Sequence, residues 1–534
     1  MEKVQPGTGD FPLPPAPPRE PQVLEHPDKL DSRLFRIASV CVLASAMTIL
    51  DISVVAVAQR TFISQFGSTQ AVVGWTMTGY SLTVATIIPV TGWAADRFGT
   101  KRLFMGAVLA FTIGSLLCAC APTVLLLIAF RVIQGIGGGL LQPLGMMILT
   151  REAGPRRLGR LMAIIGVPML LGPMIGPILG GWLISSYGWK WIFLINLPIG
   201  LAALVLAAVV FAEDRPVPAE TFDLVGMLLL SPGLAAFLFG VSSIPGRGSV
   251  EDRHVWLPAI VGVALISAFI WHAWNRADHP LIDLRLFQNR AVAQANVTML
   301  VYSVAFFGTS LLLPSYLQQV MHRTPLESGL HMIPQGLGCM LTMPFAGRFL
   351  DSHGPGKTVL SGIGLIAAGL ATFTVGVATH ADYLPLLVIG LTVMGLGMGC
   401  TMMPLSTASM SALAPQQIAR GSTLMTVNRQ LGSSIGAALM SVILTSQFNA
   451  SETITAADRL AIMRRKAAER GLPVEPSAIP PRTLARDFSA SMSHDLSHAY
   501  TVVFSVAVAL VLITLIPAAF LPKRPTTKTG ASSG

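Results

Sequence analysis

The sequence predicts an all-α polytopic membrane protein, and two observations carry that expectation. Of the 534 residues, 52% are hydrophobic and only 12% charged, about half the charge of a soluble domain. Mean hydropathy is +0.64, and apolar runs of roughly 20 residues, the length that crosses a bilayer, recur between short polar links.

The chain opens on residues 1–36, which contain "FPLPPAPPREP" and read as a disordered, proline-rich cytoplasmic tail with no signal-peptide pattern. About fourteen spans follow, at 37–58, 71–91, 103–121, 123–149, 158–184, 191–212, 223–245, 255–275, 291–318, 326–350, 358–380, 383–405, 418–447 and 499–521. Little more than Pro122 separates the third from the fourth. An even count puts both termini on one side. Alternate short links carry most of the basic residues, among them Arg97, Lys101, Arg102, Arg156, Arg157 and Lys357, whereas the opposite links hold only Arg60, Lys190, Arg247, Arg253 and Arg323. The positive-inside rule therefore places both termini in the cytoplasm. The basic loop 448–498 falls outside, which the rule permits because long loops translocate largely regardless of charge.

The net charge of +10 does not point to nucleic acid, because it is spread over interhelical links rather than gathered in a basic domain. All five cysteines lie within apolar runs, with neither disulfide nor metal spacing. No Ser/His/Asp set or phosphate loop stands out, so neither an enzyme nor a cofactor is expected.

An internal repeat divides the chain. "GWAADRFGTKRL" at 92–103 returns as "GRFLDSHGPGKTVL" at 347–360, aligning Gly92, Asp96 and Gly99 with Gly347, Asp351 and Gly354. "GIGGG" at 135–139 has its counterpart in "GLGMG" at 395–399. The expected domains are a six-helix bundle over 37–212, two linker helices over 223–275, a second six-helix bundle over 291–521 and a short cytoplasmic tail, 522–534. Two like bundles with a site between them form a transporter architecture.

Four stretches carry candidate chemistry. Asp51 stands in the middle of the first span, where a charged carboxylate costs roughly 3 kcal/mol. It is the clearest acidic residue well inside any span, since Asp223, Glu327, Asp351 and Asp382 lie near span ends. In "RVIQGIGGG", Arg131 sits inside the fourth span with Gln134 on the same helical face. Such an arginine marks a functional site unless it snorkels to the interface. In the 92–103 link, glycines allow a tight turn and Asp96 lies beside Arg97, Lys101 and Arg102. This is either a charge latch between helix ends or a solvated loop. In "GPMIGPILGG", Gly172, Gly176 and Gly180 make a smooth face, Pro173 and Pro177 favour a kink, and Gly181 follows. Alone, that face reads equally as a packing seam.

Taken together, these stretches resemble the major facilitator superfamily, and specifically its fourteen-helix drug:proton antiporters of the EmrB/QacA type. "GWTMTGYSLTVA", "GWKWIFLINLPIG", "PLIDLRLFQNR" and "NRQLGSSIGAA" add to the likeness, which runs from about 37 to 521. The resemblance implies the major facilitator fold. It also implies proton coupling through Asp51, Arg131, Gln134 and Arg429, and a conformational latch of Gly92, Asp96, Arg97, Gly99, Lys101, Arg102 and Asp351. Gly172, Gly176, Pro177, Gly180 and Gly181 match the antiporter motif of the exporters. Departures are Thr100 in place of a basic residue, Ala163 in place of an upstream glycine, and Ala56 with Gln59-Arg60 in place of Asn and Leu-Pro. His331 has no counterpart in the family.

Met47, Trp75, Tyr80, Tyr302, Phe306 and Phe307 fall on spans expected to face a substrate cavity, although ordinary packing explains any one of them as well. The expectation is a multi-pass transporter of the bacterial inner membrane that exchanges protons for small hydrophobic or amphipathic compounds. A periplasmic adaptor and an outer-membrane channel are further expected partners. A dedicated metabolite or siderophore exporter, a membrane sensor and a lipid scramblase remain alternatives.

Overall fold

The computed structural model describes residues 31–212, 222–243, 252–276, 280–379, 383–411, 413, 417–469, 480–484 and 487–522. Most of the two expected tails, 1–30 and 523–534, lies outside those residues. Within them the chain is helical throughout, with no strand. Eleven described helices are long and apolar enough to cross a membrane. They correspond to all the expected spans except the second, fifth and tenth, which are also helical.

The first half comprises α1 (Ser32–Phe66), α2 (Gln70–Ile87), α3 (Thr91–Phe98), α4 (Thr100–Ala119), α5 (Val124–Tyr187), α6 (Trp191–Leu194) and α7 (Asn196–Val210). α1 starts a turn before the apolar run because Asp31 caps it, accepting from the Leu34 amide at 2.7 Å. The narrow break around Pro122 holds because Thr123 caps α5, accepting from the Leu126 amide at 3.3 Å. Beyond its first residue, Asn196, α7 is apolar on all sides. Its small residues Ala203 and Ala207 are buried, whereas Leu201, Val205 and Val209 are exposed, the face a lipid-contacting helix presents.

α5 is helical over 64 residues, which covers two expected spans, yet it is not a straight rod. Arg131 and Gly176 would lie ~68 Å apart on a straight helix, at about 1.5 Å per residue. Both abut the same turn of α1, Arg131 at Asp51 and Gly176 at Ser53. The element therefore doubles back. In the expected cytoplasmic link, Arg157 Nε donates to the Ala153 carbonyl at 2.9 Å and Nη2 to the Glu152 carbonyl at 3.0 Å. These bonds satisfy backbone acceptors there.

The stretch expected to hold the linker pair folds as α8 (Leu224–Ser242) and α9 (Arg253–Asn275). The second half comprises α10 (Arg290–Gln319), α11 (Pro325–His331), α12 (Ile333–His353), α13 (Pro355–Ala378), α14 (Val388–Gly399), α15 (Met402–Ser411) and α16 (Ile418–Ala450). It ends with α17 (Glu452–Glu469), inside the expected outer loop, and α18 (Phe488–Ala519).

The sequence repeat has a structural counterpart. Gly99, between α3 and α4, has φ +84°, and Gly354, between α12 and α13, has φ +81°. A Cβ there would be strained, so both links need glycine. The paired glycines also make equivalent close approaches. A Cβ on Gly137 would sit 2.5 Å from the Ala107 carbonyl of α4, and one on Gly397 would collide with α13 at Gly362. Gly135 likewise abuts α2 at Tyr80, and Gly395 abuts α12 at Gln335.

Candidate functional site

The buried polar groups of the first half converge on Asp51, which is 1% exposed. Its carboxylate accepts from Arg131 Nη1 at 2.5 Å, Gln134 Nε2 at 2.8 Å and Asn196 Nδ2 at 3.2 Å. Arg131 is itself fully buried. It also donates from Nη1 to Gln134 Oε1 at 2.6 Å and from Nε to the Thr76 carbonyl at 3.1 Å. Ser115 completes the set, accepting from Gln134 at 3.2 Å and Asn196 at 2.9 Å and donating to the Phe193 carbonyl at 3.1 Å. The guanidinium lies 4.1 Å above the Tyr80 ring centre, a cation–π arrangement.

Five helices thus supply one charge pair and its polar shell: α1, α2, α4, α5 and α7. Sequence placed Asp51, Arg131 and Gln134 in this site, and Tyr80 proves to be its floor. Asn196 and Ser115 were missed. Both are single polar residues within apolar spans, the one signal that could have marked them. The helices approach closely because Gly114 lies against Gln134 and Gly138 against the Tyr80 hydroxyl, leaving no room for a side chain.

A buried pair of this kind pays for desolvation through its mutual attraction and surrounding hydrogen bonds, and removing one partner leaves an uncompensated charge. A proton arriving at Asp51 would do that to Arg131. The arrangement can therefore convert proton binding into a change in how α1 is held against α5.

Arg429 lies elsewhere. Its Nη2 donates to Gln142 Oε1 on α5, so it joins the two halves rather than the Asp51 cluster. Nearby, Ser422 Oγ donates to the Pro143 carbonyl at 3.4 Å. At the expected latch, Asp96 Oδ1 pairs with Arg151 of α5 at 3.2 Å. Lys101 Nζ reaches the Ala208 and Phe211 carbonyls, both at 2.8 Å, where a cation favours the C-terminus of α7. Arg102 is exposed, and the surroundings of Asp351 lie outside the described residues. Gly92 meets the second half, where a Cβ would sit 3.2 Å from Thr423 Oγ1 on α16.

In the antiporter stretch, Gly176 lies flush against Ser53, and a Cβ on Gly180 would stand 3.0 Å from Val54. A Cβ on Gly181 meets nothing within 4 Å. The surroundings of Gly172 and Pro177 lie outside the described residues.

The expected cavity residues do not share one lining. Met47 is fully buried in the main core. Trp75 stacks on Phe239 of α8, with ring centres 5.5 Å apart. Tyr302 stacks on Phe306 at 5.4 Å, and Phe306 meets Phe307 edge-on at 5.2 Å. The buried Tyr302 hydroxyl has no hydrogen-bond partner among the described residues. No group of three or more potential metal ligands occurs among them either.

Comparison with known proteins agrees with this architecture. Residues 41–437 match the Major Facilitator Superfamily. The chain is 64% identical to a multidrug resistance protein B homolog of Mycobacterium tuberculosis (strain ATCC 25618 / H37Rv), over 98% of this chain and 97% of that protein. It is 30% identical to the multidrug export protein EmrB of Escherichia coli (strain K12), over 76% of this chain and 79% of that one. In fold it is similar to the human organic anion transporter MFSD10 (TETRAN), with a TM-score of 0.60 and 14% identity, covering 92% of this chain and all of the other. A multi-pass membrane chain with two like bundles, it belongs to the Major Facilitator Superfamily, in the drug:proton antiporter branch of the EmrB type.

Proposed function

We propose that the chain exports hydrophobic and amphipathic drugs across the inner membrane by alternating access, driven by protons that bind and leave Asp51. The buried Asp51–Arg131 pair is the observation that carries this reading. With Asp51 charged, the pair and the Gln134 and Asn196 bonds hold α1 against α5 and α7. A proton taken up from the outer side neutralises the carboxylate and removes the anion facing Arg131. Release of that proton to the cytoplasm restores the pair. Each charge carried inward contributes about 2.3 kcal/mol per 100 mV of membrane potential.

Two further features support the reading. The relatives from Mycobacterium tuberculosis and Escherichia coli are named for multidrug resistance and export. The Gly176 and Gly180 seam, which matches the antiporter motif, packs on α1 within one turn of Asp51. Both termini are assigned to the cytoplasm from the basic links. A periplasmic adaptor, if the pump is tripartite, would meet the loop that carries α17.

The test is a drug-susceptibility panel in an efflux-deficient host, followed by uptake of the hits into everted vesicles. The proposal requires uptake that needs an imposed pH gradient and collapses with a protonophore. Uptake indifferent to the gradient would overturn it.

A further inference from the structure

α8 and α9 pack as one body. A Cβ on Gly262 of α9 would stand 2.4 Å from the Phe237 nitrogen of α8, and one on Gly240 of α8 would stand 2.7 Å from the Ala259 nitrogen of α9. The two backbones therefore meet without side chains between them. This body is fastened to the first half along α2 and α3. Phe239 stacks on Trp75 at 5.5 Å, Ser231 Oγ donates to the Thr86 carbonyl at 2.7 Å, and Phe222, just before α8, meets Trp93 at 4.4 Å. These three attachments span about 25 Å of helix. Packing on the second half is shorter. Leu230 and Leu234 share an apolar cluster with Leu424 and Val427 of α16. Further along, an open gap lined by Ser81 of α2, Leu238 of α8 and Gln430 of α16 separates them.

Residues 280–288 carry the chain from this body to α10, at the end assigned to the cytoplasm. Leu281, Ile282 and Leu286 of this strap are buried in the same apolar cluster, together with Ile88 of the first half and Leu424 of the second. Two carboxylates tie the strap down. Asp223 accepts from the Gly226 amide at 2.7 Å and the Leu281 amide at 3.3 Å, and lies 2.9 Å from His272 Nε2. It thus joins the strap to α8 and α9. Asp283 accepts from the Arg285 amide at 3.0 Å and lies 3.6 Å from Arg420 Nη1 of α16, which joins the strap to the second half.

The two ties differ in strength. The Asp223 side chain is only 7% exposed, so parting it from its donors would strand a buried carboxylate. The Asp283 and Arg420 side chains are 16% and 17% exposed, and water can replace either partner. Asn289, extended at φ −74° and ψ 111° between the turn Leu284–Gln288 and α10, is a joint about which the strap can swing.

We infer that α8 and α9 travel with the first half as one body, and that the Asp283–Arg420 pair is the clasp by which the strap holds this body to the second half and keeps the cytoplasmic side closed. Opening that side parts Asp283 from Arg420 and Leu230 from Leu424, while the seam on α2 stays shut. The inference rests on the alternating-access reading. It adds a role for α8 and α9, and two positioning residues, Asp283 and Arg420.

Distances between nitroxide labels test it in proteoliposomes, on a chain with its five cysteines replaced by serine. Trp274→Cys, exposed at the end of α9, is paired with Arg102→Cys, exposed on α4, or with Ser352→Cys, exposed on α12. Double electron–electron resonance should give one α9–α4 distance, the same at acid and at neutral pH. The α9–α12 pair should give two distances. Asp283→Asn, which keeps the turn cap but loses the charge, should raise the longer population severalfold. Asp283→Arg combined with Arg420→Asp should restore the original ratio. An α9–α4 distance that changes with pH or with Asp283→Asn would overturn the single body. A single α9–α12 distance, a distribution that Asp283→Asn leaves unchanged, or one that the reversed pair does not restore would overturn the clasp. Uptake of ethidium driven by a pH gradient is measured on the same proteoliposomes. The expected distances without uptake would keep this inference and overturn the exporter reading. Uptake with any of the contrary distances would do the reverse.

Discussion

At the scale of single residues, the Asp51 cluster shows how an ion pair is kept inside a membrane protein. The carboxylate has three donors and the guanidinium three acceptors, two of them on other helices. Asn196 is the donor that the sequence did not announce. It binds both Asp51 and Ser115, so its removal strips one bond from the carboxylate and one from the shell. Removing one partner of a buried hydrogen bond costs about 1–3 kcal/mol. Asn196→Ala should therefore lower transport severalfold and reduce thermal stability in detergent, while Asn196→Gln should recover part of both. Wild-type rates and stability in Asn196→Ala would show that the amide is a bystander. Charged residues in apolar spans were legible because so few explanations fit them. Asn196, Ser115 and Gln142 were not, because an uncharged polar side chain in a span is ambiguous until its tertiary partner is known.

Among elements, the glycine-rich seams set how closely helices approach. Gly176 and Gly181 stand five positions apart in one stretch, and the sequence motif treats them alike. The packing does not. Gly176 leaves no space for a Cβ against Ser53, while Gly181 faces open space. Gly176→Leu should prevent α5 from closing on α1 and abolish export, whereas Gly181→Leu should keep export near the wild-type level at matched expression. Equal tolerance of both would remove the seam from the account. The helices themselves followed from apolar run length, and the repeat from its glycines. The doubling back of α5, which is helical along its whole length, and the pairing of Asp96 with Arg151 on another helix both depend on contacts between distant segments. Local sequence does not encode these contacts.

At the scale of the whole molecule, the account requires a topology and an energy source. With both termini inside, Ser477→Cys in a cysteine-free chain should react with an impermeant thiol reagent in whole cells, and Arg156→Cys should not. The reverse pattern would end the orientation read from the basic links. For the energy source, the central claim is that Asp51 carries the proton. Asp51→Asn keeps the size of the side chain and much of its hydrogen bonding but cannot titrate. The measurement is substrate flux in proteoliposomes containing wild type or Asp51→Asn, first against a substrate gradient with an imposed pH difference, then down a gradient without one. The account predicts that Asp51→Asn loses uphill accumulation and retains downhill exchange; accumulation at the wild-type rate would contradict it.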